Sequence, residues 1–332
     1  MIRIRIHRFE NELWGRSHLP FFKKFDKFLL DFFDVDVVNY NTDGETFSGK
    51  INLQSEISSF GNTPPISDVE YVIENLETSE IKILSFTEYF THYVTHFAKS
   101  NSCSKILLVH FNWSNRYDWF KRERSLKDID KVRPWIFLPF KEFDFDHYRE
   151  LRKSKTELED KLFYLGSGID SYRKSVKEVE LKGYLQKTNN YEFKDYLDKM
   201  INSKIGLSHY LDLDKYTTPF DHPGEFCYRD IEYMSVGLPF IRIEYKDAVH
   251  DPLLPNHHYI SIPREKAYLA YEKNKEEGVA DLYIEKFLEV RQNKEFLEFI
   301  SKNQIEWFDR NIKSPNIEKL TFELLELDKW LN

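Results

Sequence analysis

The stretch whose reading decides the fold is HPGEFCYRDIEYMSVGLPFIRIEY, His222 to Tyr245. It reads as a loop containing Gly224 and Glu225, a short helix that starts near Cys227 and carries Arg229 and Glu232, a turn from Gly237 to Pro239, and a buried strand, FIRIEY. Arg229 and Glu232 are three residues apart and share one helix face, while Cys227, Ile231 and Met234 line another. The second face is expected to pack and the first to be free to meet a ligand. Gly237 falls where a helix C-terminus takes a left-handed residue, and Pro239 prevents the helix from continuing. A helix N-terminus after a glycine loop, with its unpaired N–H groups beside an arginine, suits an anion. The same two charges also fit a solvated surface pair, which contributes only about 0.2–0.5 kcal/mol.

Outward from this stretch, strands alternate with helices. KIGLSHY (Lys204 to Tyr210) predicts a strand whose end presents Ser208 and His209, preceded by a helix at about 191–202 and followed by a long loop with Pro219 and Pro223. KLFYLGSG (Lys161 to Gly168) predicts a buried strand, then glycines, then a helix from about Ser171 bearing Arg173 and Lys174. Gly166 and Gly168, with Ser167 between them, let the backbone approach a ligand, although the full GxGxxG fingerprint is missing. Beyond Tyr245, LLPNHHYISIP (Leu253 to Pro263) contains a second strand. The tail is expected to be helical from about Leu282, ending in a helix from Ile317 to Leu331 with an apolar stripe of Leu320, Leu324, Leu325 and Trp330.

The N-terminal half repeats the alternation. MIRIRI places Ile2, Ile4 and Ile6 on one face of a strand. From Leu19 to Phe33, phenylalanines recur at helical spacing and read as core; DVDVVNYN is a second strand. Residues 41–66, with three glycines and Pro64–Pro65, read as loops with weak strands. IKILSF (Ile81 to Phe86) and KILLVHFNW (Lys105 to Trp113) are further strands, with a helix after the first. This order predicts parallel sheets with helices on their faces and ligands outside the strand C-termini. Glu88, His110 and Trp113 are therefore the candidates in this half. Glu88 equally suits a helix dipole, and His110 a hydrogen-bonded core position. His92 and His96 have neither an HExxH motif nor a third ligand nearby, which argues against a metal. The run from Arg133 to Lys155, including FDFD at Phe143 to Asp146, reads as the crossing between domains near residue 150. No Asp-x-Asp motif stands at a strand end facing a phosphate.

At 332 residues the chain is long enough for two domains. Apolar residues at 41% and charged residues at 31% are ordinary for a folded protein, and 28 Phe with 20 Tyr supply large buried areas. The net charge of −8 argues against a surface that grips nucleic acid, because such binding needs clustered Lys and Arg. The basic residues at Arg116 to Arg124 are interleaved with acids and read as a solvated face. Two cysteines, Cys103 and Cys227, read as free thiols of a reducing compartment. The sequence has neither an integral membrane segment nor a signal peptide, so a cytoplasmic location is expected.

The run RDIEYMSVGLPFI, followed by LLPNHHYISIP, resembles the donor-binding half of GT-B glycosyltransferases over roughly residues 160–265, and is most similar to their exostosin-like, spore-protein-like and CAP10-like groups. The resemblance implies an α/β chain of two Rossmann-like domains facing a cleft. Residues 1–150 would form the acceptor side, residues 151–315 would bind the donor, and the C-terminal helix of residues 316–332 would cross back to the first domain. It implies transfer of a sugar from a UDP- or GDP-sugar to a hydroxyl, on a glycan or another acceptor, without a metal. Arg229 would meet the donor diphosphate and Glu232 the ribose. Gly166, Ser167, Arg173, Ser208, His209 and Gly224 would line the donor site, with Lys174 as the alternate to Arg173. His222, Glu225 and Glu88 are the remaining catalytic candidates. Glu225 and Glu232 are separated by six residues, whereas retaining members of a related group carry E-x7-E. Two other readings fit the same architecture: a binding module without catalysis, and a viral-type DNA-modifying glycosyltransferase.

Overall fold

The computed structural model describes residues 1–10, 19–41, 71–85, 101–108, 131–134, 144–166, 173–188, 193–209, 228–244 and 253–331. The chain divides into two compact units, Met1–Glu142 with Pro315–Asn332, and Phe143–Ser314.

The first unit is built on strands β1 (Arg3–Glu10), β2 (Asp34–Asn41), β3 (Tyr71–Asn75), β4 (Ile81–Ser85), β5 (Cys103–Leu108) and β6 (Val132–Pro134). They form one sheet in the order β2-β1-β3-β4-β5-β6. Ile4 and Ile6 alternate inward as the period-two pattern requires, and both are fully buried. Helix α1 (Leu19–Leu29) lays Phe22, Phe25 and Leu29 on that face. The sheet is mostly parallel, as expected, with one exception: β3 runs antiparallel to both neighbours, while the β1–β2, β4–β5 and β5–β6 pairs are parallel. A tight link, Asn75 to Ile81, joins β3 to β4, too short for the crossover that a parallel pair needs. The same core takes in the C-terminal residues Ile317, Phe322, Leu325, Leu327 and Trp330. Here the expected last helix is shorter, because it stops at Leu324 and Glu326 turns left-handed at φ 57°. Two lysines hold that turn: Lys82 donates to the Glu326 carbonyl at 3.1 Å and Lys105 to its carboxylate at 2.6 Å.

The second unit carries strands β7 (Glu159–Leu165), β8 (Leu185–Thr188), β9 (Ser203–Ser208), β10 (Phe240–Ile243) and β11 (Ile260–Ile262) in the order β11-β10-β9-β7-β8, with every pair parallel. The helices around this sheet are α2 (Phe145–Lys153), α3 (Lys174–Leu181), α4 (Phe193–Asn202), α5 (Tyr228–Ser235), α6 (Arg264–Val290) and α7 (Lys294–Phe308). Strand order reverses between β7 and β9. The chain goes from β7 outward to β8, then crosses back to place β9 on the other side of β7. In open α/β sheets such a reversal marks the general ligand position, at the strand C-termini.

Three expectations change here. Asp144 to Asp146 of FDFD are not linker: Asp144 caps α2 by accepting from the His147 amide at 3.0 Å, and Asp146 pairs with Arg149 at 2.9 Å. Two arginines of α2 then serve the ends of other helices. Arg149 donates to the Ser235 carbonyl at the C-terminus of α5, and Arg152 to the Met200 carbonyl at the end of α4. The helical tail begins at Arg264 rather than near Leu282, with a break at Asn274 and Lys275. Finally, the helix expected from Ser171 starts at Lys174, which leaves Arg173 at its N-cap position.

Candidate active site

Strands β7 and β9 stay paired only as far as Phe163 and Gly206. Beyond that point their ends are joined by side chains of α5. The Tyr233 hydroxyl accepts from the Leu165 amide at 3.2 Å and lies within 3.1 Å of the Phe163 carbonyl and 3.2 Å of the Leu207 carbonyl. One helical turn earlier, Arg229 Nε donates to the Leu165 carbonyl at 2.5 Å and Nη1 to the His209 carbonyl at 2.9 Å. Its guanidinium carbon lies 4.4 Å from the centre of the Tyr164 ring. Positions 229 and 233 are i and i+4, so one helix face bridges the fork where the sheet splits.

Gly166 sits directly on this bridge. Its φ of 152° suits glycine, and a Cβ there would stand 2.7 Å from Arg229 Nη2. The expectation of a packed face and a free face on α5 is therefore corrected. The helix is enclosed nearly all round, with Arg229 only 8% exposed and Asp230, Ile231, Tyr233 and Met234 fully buried. A helix wedged between the sheet, α4 and α7 has little side left for solvent.

Asp230, to which the sequence reading gave no role, is central. Its carboxylate accepts from the Ser208 hydroxyl and pairs with Arg242 of β10 at 2.9 Å, with both charges out of contact with water. Ser208 thus reaches into α5. His209 is also enclosed: its ring Nδ1 lies 2.9 Å from the Tyr283 hydroxyl, and its carbonyl accepts from Tyr164 as well as Arg229. A hint of Asp230 was legible in its i+1 position beside Arg229. Its partner Arg242, in the middle of an apolar strand, was the stronger signal, because a buried strand arginine requires a counter-charge.

Glu232 alone among these acids keeps part of its side chain accessible. It accepts from the Tyr196 hydroxyl of α4 at 3.0 Å. Desolvation lifts its pKa to about 7, against the lowering effects of the Tyr196 bond and the Arg229 charge, while Asp230 adds to the rise. Before the start of β11, burial pushes His258 down to about 4; its Nδ1 accepts from the Leu254 amide.

The structure thus brings together Gly166, Ser208, His209, Arg229 and Glu232 around the β7–β9 fork, with Arg173 at the start of α3 after β7. Ser167, His222, Gly224, Glu225 and Cys227 lie outside the described residues, as do Glu88, His92, His96, His110 and Trp113 of the first unit. Among the described residues no group of three or more His, Cys, Asp or Glu side chains could hold a metal, and no helix is long and apolar enough to cross a membrane.

This mixed α/β fold is similar to that of a solved glycosyltransferase. The solved glycosyltransferase from Rickettsia africae ESF-5 superposes with a TM-score of 0.56 at 10% identity, covering 98% of each chain. The pneumococcal O-GlcNAc transferase GtfA, solved with UDP and GlcNAc, gives a TM-score of 0.43 at 12% identity, over 74% of this chain and 52% of that one. No family model and no curated protein matches the sequence.

Proposed function

We propose that this chain is a nucleotide-sugar-dependent glycosyltransferase of the GT-B type, with its donor site at the β7–β9 fork and a hydroxyl of a glycan or similar acceptor as the second substrate. One observation carries the reading: a buried arginine spans the two strand ends at the sheet's switch point, packed directly against a glycine, with a partly accessible glutamate one turn away. The shared fold supports it.

In this reaction the acceptor oxygen forms a bond to the anomeric carbon as the bond from that carbon to the donor phosphate breaks. The acceptor proton passes to a base and the electron pair leaves with the nucleoside diphosphate. Negative charge grows on the leaving phosphate, so fixed positive charge there lowers the barrier most. Arg229 supplies it from below Gly166, assisted by Arg173, and a UDP- or GDP-sugar then needs no metal. Glu232 receives the ribose. The base is sought among His222, Glu225 and Glu88.

The test is thermal stability against UDP-, GDP-, CMP- and dTDP-sugars in EDTA, followed by donor turnover. A ligand that binds only the folded state raises the apparent stability. A shift with one donor class, together with sugar release or transfer, supports the proposal. The absence of any shift would overturn it, and binding without turnover would leave a nucleotide-binding module.

A further inference from the structure

Tyr196 and Glu232 face each other across the contact of α4 with α5. The tyrosine is 3% exposed and donates its hydroxyl proton to Oε1 of the glutamate at 3.0 Å. Among the described residues Oε2 receives no hydrogen bond, and the glutamate side chain is in part accessible. One oxygen is therefore pinned and the other presented. A carboxylate held in this way suits a sugar hydroxyl, because a fixed acceptor loses little conformational freedom on binding.

We infer that Tyr196 is a positioning residue for the donor: by holding Oε1 it directs Oε2 to the ribose hydroxyls, so that the site takes ribonucleotides in preference to their 2′-deoxy counterparts. This rests on the donor-site reading above and adds to it a residue and a selectivity. A site built to accept a hydroxyl proton discriminates sharply against a ligand lacking that hydroxyl, since the buried acceptor is left without a partner.

The charge state of Glu232 supplies an independent readout. The groups that face it are Tyr196 on α4 and Arg229 and Asp230 on α5; desolvation raises its pKa and the Tyr196 bond opposes that rise. Removing the phenol hydroxyl must therefore move the protonation of Glu232 to higher pH, and with it the pH below which ribose binding weakens.

The experiment is calorimetric binding of UDP, GDP and their 2′-deoxy forms to the full chain from about pH 5.5 to 8.5, with wild type and Tyr196→Phe. In wild type at the upper pH, the ribonucleotide is expected to bind about tenfold tighter than its 2′-deoxy form, the scale of one hydrogen bond to a charged acceptor. That preference should fade as the pH falls below 7. In Tyr196→Phe, affinity for the ribonucleotide should drop about tenfold and the fade should begin at higher pH. Equal binding of the two forms by wild type would overturn the inference whether or not the variant folds. An unchanged pH midpoint and affinity in a folded Tyr196→Phe would also overturn it, leaving the donor site itself intact. Failure of wild type to bind UDP or GDP at any pH would bring down both.

Discussion

Arg229 lies so close beneath Gly166 that a Cβ on the glycine would stand 2.7 Å from Nη2. The guanidinium is fixed by two carbonyls, Leu165 and His209, and cannot swing aside without breaking the joint between β7 and β9. Gly166→Ala is therefore expected to destabilise the protein by about 1–3 kcal/mol through contact and backbone strain. In the double variant with Arg229→Lys, the two effects should sum to less than their separate values by at least about 0.5 kcal/mol. Urea denaturation of the four proteins of the cycle measures this; strict additivity would mean that the two residues do not press on one another.

Asp230 and Arg242 form a pair that is completely enclosed. Removing one partner leaves a charge in the interior, so Asp230→Ala should cost roughly 3–5 kcal/mol. Replacing both by apolar residues of similar volume should cost much less, because the desolvation of both ions disappears with them. Chemical denaturation of Asp230→Ala beside the double replacement Asp230→Leu with Arg242→Met distinguishes the cases. Equal losses would show that packing rather than charge decides.

The pKa of Glu232 rises from 4.5 to about 7 on folding. Between those values the folded protein holds a proton that the unfolded chain has released, so stability from this group is present below pH 4.5 and declines as pH rises to 7. At 1.36 kcal/mol per pH unit the interval corresponds to about 3 kcal/mol at most. Glu232→Gln, neutral at every pH, should be more stable than wild type at pH 8 and show no such decline. Glu326 has the opposite sign: its bonds to Lys105 and Lys329 hold it at about 2, so its contribution is present above pH 4.5 and is lost as pH falls toward 2. Melting temperatures of both variants should therefore approach wild type at low pH and depart from it in opposite directions as pH rises, Glu326→Gln falling below wild type between about pH 2 and 4.5 and Glu232→Gln rising above it between about pH 4.5 and 7.

Arg229→Ala and Glu232→Ala should lower transfer activity in different ways. Negative charge grows on the leaving phosphate during the reaction, so loss of Arg229 is expected to reduce kcat as well as donor affinity. The ribose does not change, so loss of Glu232 should mainly raise the donor KM. Steady-state kinetics on folded variants decides this. Activity and affinity within about twofold of wild type, some 0.4 kcal/mol, would mean that neither residue serves the donor.

Much of the architecture was legible because periodicity reports burial directly. The alternation of Ile4 and Ile6, the Phe22–Phe25–Leu29 spacing and the apolar run of β7 each require a partner surface. Gly237, expected to turn left-handed after α5, does so at φ 66°. Strand direction was less legible. YVIEN at β3 looks the same whether its neighbours run with it or against it, and only the short Asn75–Ile81 link excludes a crossover. Charged residues in the interior were legible as residues but not as pairs.

The sequence by itself determined which segments must be buried and that α5 ends in a left-handed glycine, because those follow from side-chain spacing and local backbone chemistry. Only the tertiary structure decided what the polar residues of α5 do. Arg229 and Glu232 share a face in any helix, but whether that face meets solvent or a sheet depends on partners brought from elsewhere in the chain. Leu165, His209, Tyr196 and Arg242 lie between 12 and 64 residues away from the α5 side chains they bind, and folding alone gathers them at one fork.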